Sequence, residues 1–192
     1  VANQLIDYLT NNPQAIPAGA TIIVIPNANP DSPGAPGQLN GRLNANGVDL
    51  NRNWDCRWTT DARWRGNIIP DSGGPAPLSE PESRALHDFI MSQPPAAVVF
   101  WEARASNGLS APGVCGANSR VSGPLAQSYG FAAGYPVADF ENLTNQELNG
   151  DATNWLDDQN IPALAILLPD YDNPDWVSNL AGIRAVIRDF GQ

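Results

Sequence analysis

The sequence predicts an α/β fold with a mixed, largely parallel sheet sandwiched by helices. Three continuous apolar runs are typical of buried strands: TIIVIP at 21–26, AAVVFW at 96–101 and IPALAILL at 161–168. Segments with helical spacing of apolar residues separate and follow these runs, and such alternation indicates helices on both faces of a sheet. The length of 192 residues fits a single domain over 1–192.

The helices are predicted from apolar residues that recur at helical spacing. In the segment 2–11 the two leucines and the isoleucine share one face. The helix at 79–93 is expected to begin with Ser79 as N-cap, followed by Pro81 in its first turn. Further helices are predicted at 122–132, 151–159 and 176–190.

A long irregular segment, 27–79, follows the first predicted strand and is rich in Asn, Gly, Pro and Trp. Loops of that length are usually functional. The chain also starts inside a helical pattern, with no cap and no preceding strand. We therefore expect the N-terminal strands of a larger fold to be absent from this chain.

The chain carries a formal net charge of −10, and all ten basic residues are arginines. A protein that follows nucleic-acid phosphates needs a basic surface, so the composition argues against nucleic-acid binding. No apolar run approaches the roughly 20 residues of a membrane span. The acidic, lysine-free composition favours a secreted, extracellular protein.

The two cysteines, Cys56 and Cys115, match no metal-ligand or redox spacing. A disulfide bond and two unpaired buried thiols both fit the sequence, and the disulfide is favoured. A bridge would require an oxidising compartment, which agrees with secretion.

The segment IPNANPDSPGAPGQLNGRLNANGVDLNRNWD, residues 25–55, resembles the zinc carboxypeptidase family (peptidase M14-like metallocarboxypeptidases), most closely its compact bacterial members. Three further stretches follow in the family's order: SEPESRALHDFI, AAVVFWE and NGDATNWLDDQNIPALAILLP. The resemblance covers about residues 2–170 and implies the carboxypeptidase fold. It also places both cysteines in loops that flank one cleft, which favours their pairing.

The resemblance implies a clamp for a substrate carboxylate, formed by Arg42, Asn51 and Arg52. In the family an arginine and an Asn-Arg pair hold the terminal carboxylate of a peptide, and a guanidinium fork suits this bidentate contact. The alternative is that Arg52 pairs with Asp49 or Asp55 and that Asn51 caps the loop.

The resemblance also implies a zinc ion held by a His-x-x-Glu pair and a distant histidine, with a glutamate as general base. The His-x-x-Glu pair would fall before the first helix. Glu102 stands where the distant histidine is expected, as a possible remnant ligand, and Leu167 stands at the general-base position. The family's mobile tyrosine falls near Gln146. We therefore expect no catalytic residue and no zinc as cofactor in this chain.

Other candidate metal ligands are weaker. His87 is the only histidine, and a surface or partly buried role is favoured over metal ligation. Asp170, Asp172 and Asp175 offer oxygen ligands for calcium, but they lack the glycine and terminal glutamate of an EF-hand loop. A solvated acidic turn is the favoured interpretation.

Three tryptophans, Trp54, Trp58 and Trp64, either line a peptide or glycan groove or pack in the core, and core packing is favoured. The sequence thus predicts a non-catalytic carboxypeptidase-like domain that binds a peptide or another carboxylate-bearing ligand. Two alternatives remain. One is an active zinc metallocarboxypeptidase whose missing N-terminal segment supplies zinc ligands. The other is an extracellular structural subunit that self-associates.

Overall fold

The computed structural model describes residues 1–191. The helices are α1 (Ala2–Asn11), α2 (Pro81–Ser92), α3 (Gly123–Ala133), α4 (Phe140–Thr144), α5 (Ala152–Asp158) and α6 (Trp176–Phe190). The strands are β1 (Ala62–Trp64), β2 (Asn67–Ile69), β3 (Val98–Ala103), β4 (Leu109–Pro112) and β5 (Ala163–Leu168). Short 3₁₀ turns span Pro13–Ala15, Leu39–Gly41 and Leu50–Arg52.

The central sheet has three strands in the order β3-β5-β4. The middle strand, β5, runs parallel to β3 and antiparallel to β4. The register sets Glu102 on β3 directly beside Leu167 on β5. Strands β1 and β2 form a separate antiparallel hairpin inside the long irregular segment. The mixed sheet confirms the predicted α/β class.

Helices cover both faces of this sheet. Leu164 and Ile166 of β5 belong to an apolar cluster with residues of α1, α3 and α6, whereas Ala163 belongs to a second cluster with residues of α2 and α5. Successive residues of a strand point to opposite faces, so a middle strand with two covered faces reads as a continuous apolar run. The predicted sandwich is therefore confirmed, while the single domain over 1–192 stays a prediction.

The prediction of a first strand at 21–26 is wrong. The segment is extended, but none of the described residues pairs with it in a ladder. Ile22 and Val24 pack against the first apolar cluster, whereas Ile23 and Ile25 are 55% and 48% exposed. The segment thus buries one face only. Its β-branched residues favour a strand, but no neighbouring strand pairs with it among the described residues.

Helix α2 begins later than predicted, at Pro81, and Glu80 rather than Ser79 occupies the N-cap position. The Ser79 hydroxyl instead donates to Glu80, which also accepts hydrogen bonds from the Asn44 and Asn46 amides at 2.8 and 2.7 Å. Burial alone would raise the pKa of Glu80, but these hydrogen bonds hold it below its usual range. The start of α2 is thereby tied to residues 25–55, which are called the motif segment below.

The other predicted helices and strands agree with the structure within about two residues at each end. Strand β4, helix α4 and the β1-β2 hairpin were not predicted. No helix within residues 1–191 combines the length and the apolar character needed to cross a membrane.

The motif segment is fixed to the start of α5 by backbone hydrogen bonds. The Trp54 N–H donates to the Gly150 carbonyl at 3.1 Å, and the Gly150 N–H donates to the Cys56 carbonyl at 2.8 Å. Gly150 has a φ of +65°, and a Cβ there would lie 2.1 Å from the carbonyl oxygen of Arg52. Only glycine permits this close approach.

Candidate functional site

The sequence DLNR folds as a tight turn that opens onto a cleft. Leu50–Arg52 form the 3₁₀ turn, and the Asp49 carboxylate caps it by accepting the Asn51 backbone N–H at 3.1 Å. Side chains of this turn line a cleft of about 460 Å³ together with the ends of β3 and β5.

The Asn51 side chain joins three segments of the chain. Its Oδ1 accepts the Ala152 backbone N–H at 2.9 Å. Its Nδ2 donates to Glu102 at 3.0 Å and to Asp151 at 2.9 Å. Asn51 therefore does not cap its own loop but bridges the motif turn, β3 and the N-terminus of α5.

Arg42 is neutralised within the chain. Its Nε lies 2.7 Å from Asp49 Oδ2, and its Nη2 donates to Asp49 Oδ1 at 3.3 Å. Burial alone would lower the pKa of Arg42, but Asp49 and Glu102 raise it above its usual value. Arg42 thus lines the cleft as half of an ion pair.

Arg52 differs, because it uses neither Asp49 nor Asp55 as a partner. Its side chain is buried and donates to two backbone carbonyls, that of Arg63 at 3.3 Å and that of Asn51 at 2.5 Å. The nearest carboxylate, Asp151, lies 4.0 Å from Nη1. Within residues 1–191, the Nη2 atom of Arg52 has no hydrogen-bond partner and retains some solvent accessibility. Arg52 can therefore donate to a ligand in the cleft.

The surroundings of Glu102 disfavour the ionised form of its carboxyl group. Burial and the neighbouring Asp151 raise the pKa of Glu102, and the attraction of Arg42 and Arg52 only partly offsets this shift. Asn51 donates to both carboxylates and so reduces their repulsion. Protonation of Glu102 would remove one negative charge from the cleft.

Comparison with known proteins identifies the family. A family model described as zinc carboxypeptidase, peptidase M14, matches residues 1–110. The chain belongs to the zinc carboxypeptidase family. The comparison with curated proteins found no match.

Solved structures of related proteins agree with this family. The murein-tripeptide amidase MpaA of Escherichia coli O157 is 26% identical, with 84% of this chain and 65% of that chain covered and a TM-score of 0.57. Carboxypeptidase A of Helicoverpa armigera is 19% identical, with 88% and 52% covered and a TM-score of 0.57. A carboxypeptidase A described as putative, from Shewanella denitrificans OS-217, is 21% identical, with 99% and 52% covered and a TM-score of 0.58. The chain thus spans less than two thirds of each of these proteins.

The zinc carboxypeptidase positions named from the sequence lie together in the cleft. Glu102 and Leu167 are neighbours across the β3-β5 pair, and both line the cleft. Leu167 is only 8% exposed and presents an apolar side chain where the resemblance places a general base. Gln146, which follows α4, also lines the cleft.

The residues described do not fit a zinc ion. Within 1–191 no group of three or more His, Cys, Asp or Glu side chains is arranged to hold a metal. Glu102 and Asp151 approach each other, but both bind the Asn51 amide. Zinc in proteins needs three or four nitrogen, sulfur or oxygen ligands, and these two carboxylates do not supply that set.

The cysteines are joined, with Cα atoms 5.7 Å apart, as the sequence favoured. His87 lies against the rings of Trp54 and Trp155, with centroids 6.4 and 5.0 Å away, in a partly buried position. Trp54 is a core residue, 2% exposed.

The three aspartates for which a solvated acidic turn was favoured over calcium binding make contacts within the chain. Asp175 accepts the Tyr135 hydroxyl at 2.8 Å, and Asp170 accepts the backbone N–H of Asp172 at 3.2 Å. These contacts agree with an acidic turn.

Sequence reasoning missed Asp151 as the partner of Asn51 and missed the cleft residues Arg65, Arg104 and Tyr171. The Gly-Asp pair at 150–151 is an N-cap signal for α5. The contact of Asp151 with Asn51, 100 positions earlier, cannot be recognised from the sequence around either residue. The other three residues come from separate loops and share no motif.

Proposed function

We propose that this chain is a non-catalytic carboxypeptidase-like domain that holds a peptide by its C-terminal carboxylate. One observation carries the proposal: Arg52 lines the cleft beside Arg42 and Asn51, and its Nη2 has no hydrogen-bond partner among residues 1–191. A guanidinium held by backbone carbonyls is preorganised to bind a carboxylate. The related amidase and carboxypeptidases, by their names, act on peptides, which supports a peptide as the ligand.

The proposal that the domain does not hydrolyse its ligand rests on two features of the cleft: the residue at the general-base position and the shortage of metal ligands. Leu167 accepts no proton, and loss of a general base typically costs about 10²–10⁴-fold in rate. Glu102 accepts a hydrogen bond from Asn51, and the described residues do not supply the further ligands that would complete a metal site with it.

The ligand carboxylate would enter a cleft that already contains Glu102 and Asp151. Like charges repel, so binding should be weaker while Glu102 is ionised. Because the pKa of Glu102 is raised, its protonation occurs at a higher pH than for an ordinary glutamate. We expect the affinity for a C-terminal carboxylate to increase as the pH falls through this raised pKa.

Secretion is part of the proposal. The Cys56–Cys115 disulfide supports an oxidising compartment, because such bonds are rare in the cytosol.

Calorimetric titration tests carboxylate binding. A short peptide with a free C-terminus should bind more tightly than the same peptide with a C-terminal amide, because a charge-assisted hydrogen bond contributes about 1.5–3 kcal/mol. Arg52→Ala should remove this difference, whereas Arg184→Ala, a matched change on the exposed face of α6, should keep it. Equal affinity for both peptides would contradict the proposal.

Elemental analysis and mass spectrometry test the absence of catalysis. The purified chain should contain less than one equivalent of zinc and should leave C-terminal residues on the peptides it binds. Zinc near one equivalent, with chelator-sensitive release of C-terminal residues, would instead establish an active metallocarboxypeptidase.

A further inference from the structure

We infer that Arg65, Arg104 and Tyr171 form a second anion subsite in the cleft, which binds an acidic side chain near the C-terminus of the peptide. This inference rests on the function proposed above and narrows the ligand to peptides with two carboxylates. The three residues are called the basic wall below.

The distribution of positive charge points to an anionic ligand. The chain has a net charge of −10 and only ten basic residues, yet half of them line this one cleft. The five are Arg42, Arg52, Arg63, Arg65 and Arg104. Concentrating cations in one concave region raises the local concentration of anionic ligands.

The acidic residues of the cleft do not neutralise the basic wall. Five carboxylates line the cleft: Glu102, Asp139, Glu141, Glu147 and Asp151. Asn51 binds two of them, the first turn of α4 binds the third, and Arg57 pairs with the remaining two. Within residues 1–191, Arg63, Arg65 and Arg104 form no ion pair. Their charge is therefore available to a ligand.

Aromatic contacts hold the basic wall in place. The Arg65 guanidinium carbon lies 4.6 Å from the centre of the Trp64 ring, and Arg65 Nη2 donates to the Tyr171 hydroxyl at 3.2 Å. The Arg104 guanidinium carbon lies 5.9 Å from the centre of the Tyr171 ring, within the range of a cation–π contact. The Tyr171 hydroxyl accepts from Arg65, so its own O–H can donate to an anion.

The motif segment also restricts Tyr171. Gly37 approaches so closely that a Cβ there would lie 2.8 Å from the Tyr171 ring. A ring packed against backbone presents its hydroxyl at a fixed position, and an ordered donor set loses less conformational entropy on binding. Two guanidinium groups and one hydroxyl thus offer planar, directional donors that suit a carboxylate.

Titration with three matched peptides tests the inference. The probes are acetyl-Ala-Glu-Ala and acetyl-Ala-Gln-Ala, both with free C-termini, and acetyl-Ala-Glu-Ala amide. At low ionic strength the Glu peptide should bind about fivefold more tightly than the Gln peptide, the gain typical of one partly exposed ion pair. The preference should shrink at high salt, because exposed charges are screened.

Two variants locate the preference. Arg65→Gln and Arg104→Gln should each reduce the Glu-over-Gln ratio, because each should lower the affinity for the Glu peptide more than the affinity for the Gln peptide. Arg184→Gln, on α6 and outside the cleft, should leave the ratio unchanged. Circular dichroism of each variant checks that the fold is retained.

The outcomes separate this inference from the proposed function. Equal binding of both free-acid peptides would overturn the basic wall and leave the C-terminal clamp intact. Equal affinity for acetyl-Ala-Glu-Ala and its amide, together with a Glu-over-Gln preference that disappears in Arg104→Gln, would overturn the clamp and retain the wall. Equal losses for both free-acid peptides in the wall variants would show a structural role and overturn the inference.

Discussion

Replacing Glu102 by glutamine should stabilise the folded protein at neutral pH. The change keeps an oxygen that can accept the Asn51 hydrogen bond and removes one negative charge. Since Asn51 Nδ2 lies about 3 Å from both carboxylates, the bonded oxygens of Glu102 and Asp151 are about 6 Å apart or closer. At about 6 Å and an effective dielectric constant of about 20, two such charges repel by about 3 kcal/mol.

Attraction by Arg42 and Arg52 opposes this repulsion but does not cancel it, because the pKa of Glu102 is raised. We therefore expect Glu102→Gln to gain about 1 kcal/mol in the free energy of unfolding at pH 8. A carboxyl with a raised folded-state pKa stabilises the protein fully below its unfolded-state pKa and loses that contribution as the pH rises through the folded-state value. The variant's advantage should therefore grow between about pH 4 and pH 8.

Urea unfolding at a series of pH values measures this difference. Asp7→Asn on the exposed side of α1 is the control for simple loss of a charge. Asp151→Asn should have the opposite effect, because its new amide would face the donors of Asn51 and Arg52. A Glu102→Gln variant that is less stable than the native chain at pH 8, or whose advantage does not change with pH, would refute the reasoning.

Two further changes test how the cleft is supported. Replacing Cys56 and Cys115 together by alanine should lower the free energy of unfolding by about 4 kcal/mol in the chain-entropy model, which urea unfolding with and without reductant measures; an unchanged midpoint would contradict this. Gly150→Ala should cost about 2 kcal/mol or more, because the new Cβ would collide with the Arg52 carbonyl, and should weaken carboxylate binding. Gly47→Ala is the control for backbone strain alone, because Gly47 has a φ of +79° and no atom lies within 4 Å of a Cβ built there. This variant should lose about 1 kcal/mol in the free energy of unfolding, measured by thermal unfolding. Equal losses in the two glycine variants would show that the close contact is unimportant.

Elements with their own apolar pattern could be predicted from the sequence, whereas elements that depend on a partner could not. The helix at 176–190 and the strand at 163–168 each carry enough apolar residues to define a buried face. Strand β4, LSAP, is short and ends in Pro112, so only its pairing with β5 makes it a strand. The segment 21–26 shows the converse, because strand composition without a neighbouring strand gives only an extended chain.

The candidate site was predictable where its residues share one motif. Arg42, Asn51 and Arg52 could be named because they lie within ten positions of each other in a recognisable segment, and all three line the cleft. Which carboxylate neutralises which cation could not be predicted, since Asp151 reaches Asn51 across 100 positions of sequence. Such partners depend on the tertiary fold and not on spacing along the chain.

The attachment of the motif turn to α5 determines how the cleft should respond to a ligand. The backbone of 54–56 exchanges two hydrogen bonds with Gly150, and Asn51 accepts the Ala152 N–H, so an irregular segment is held by the same contacts as a helix terminus. Amide hydrogens around 52–56 and 150–152 should therefore exchange with solvent as one cooperative unit, more slowly than the exposed stretch 27–36. A peptide would then meet a surface that is already ordered, so its residence time should depend on breaking polar contacts and not on the opening of a lid.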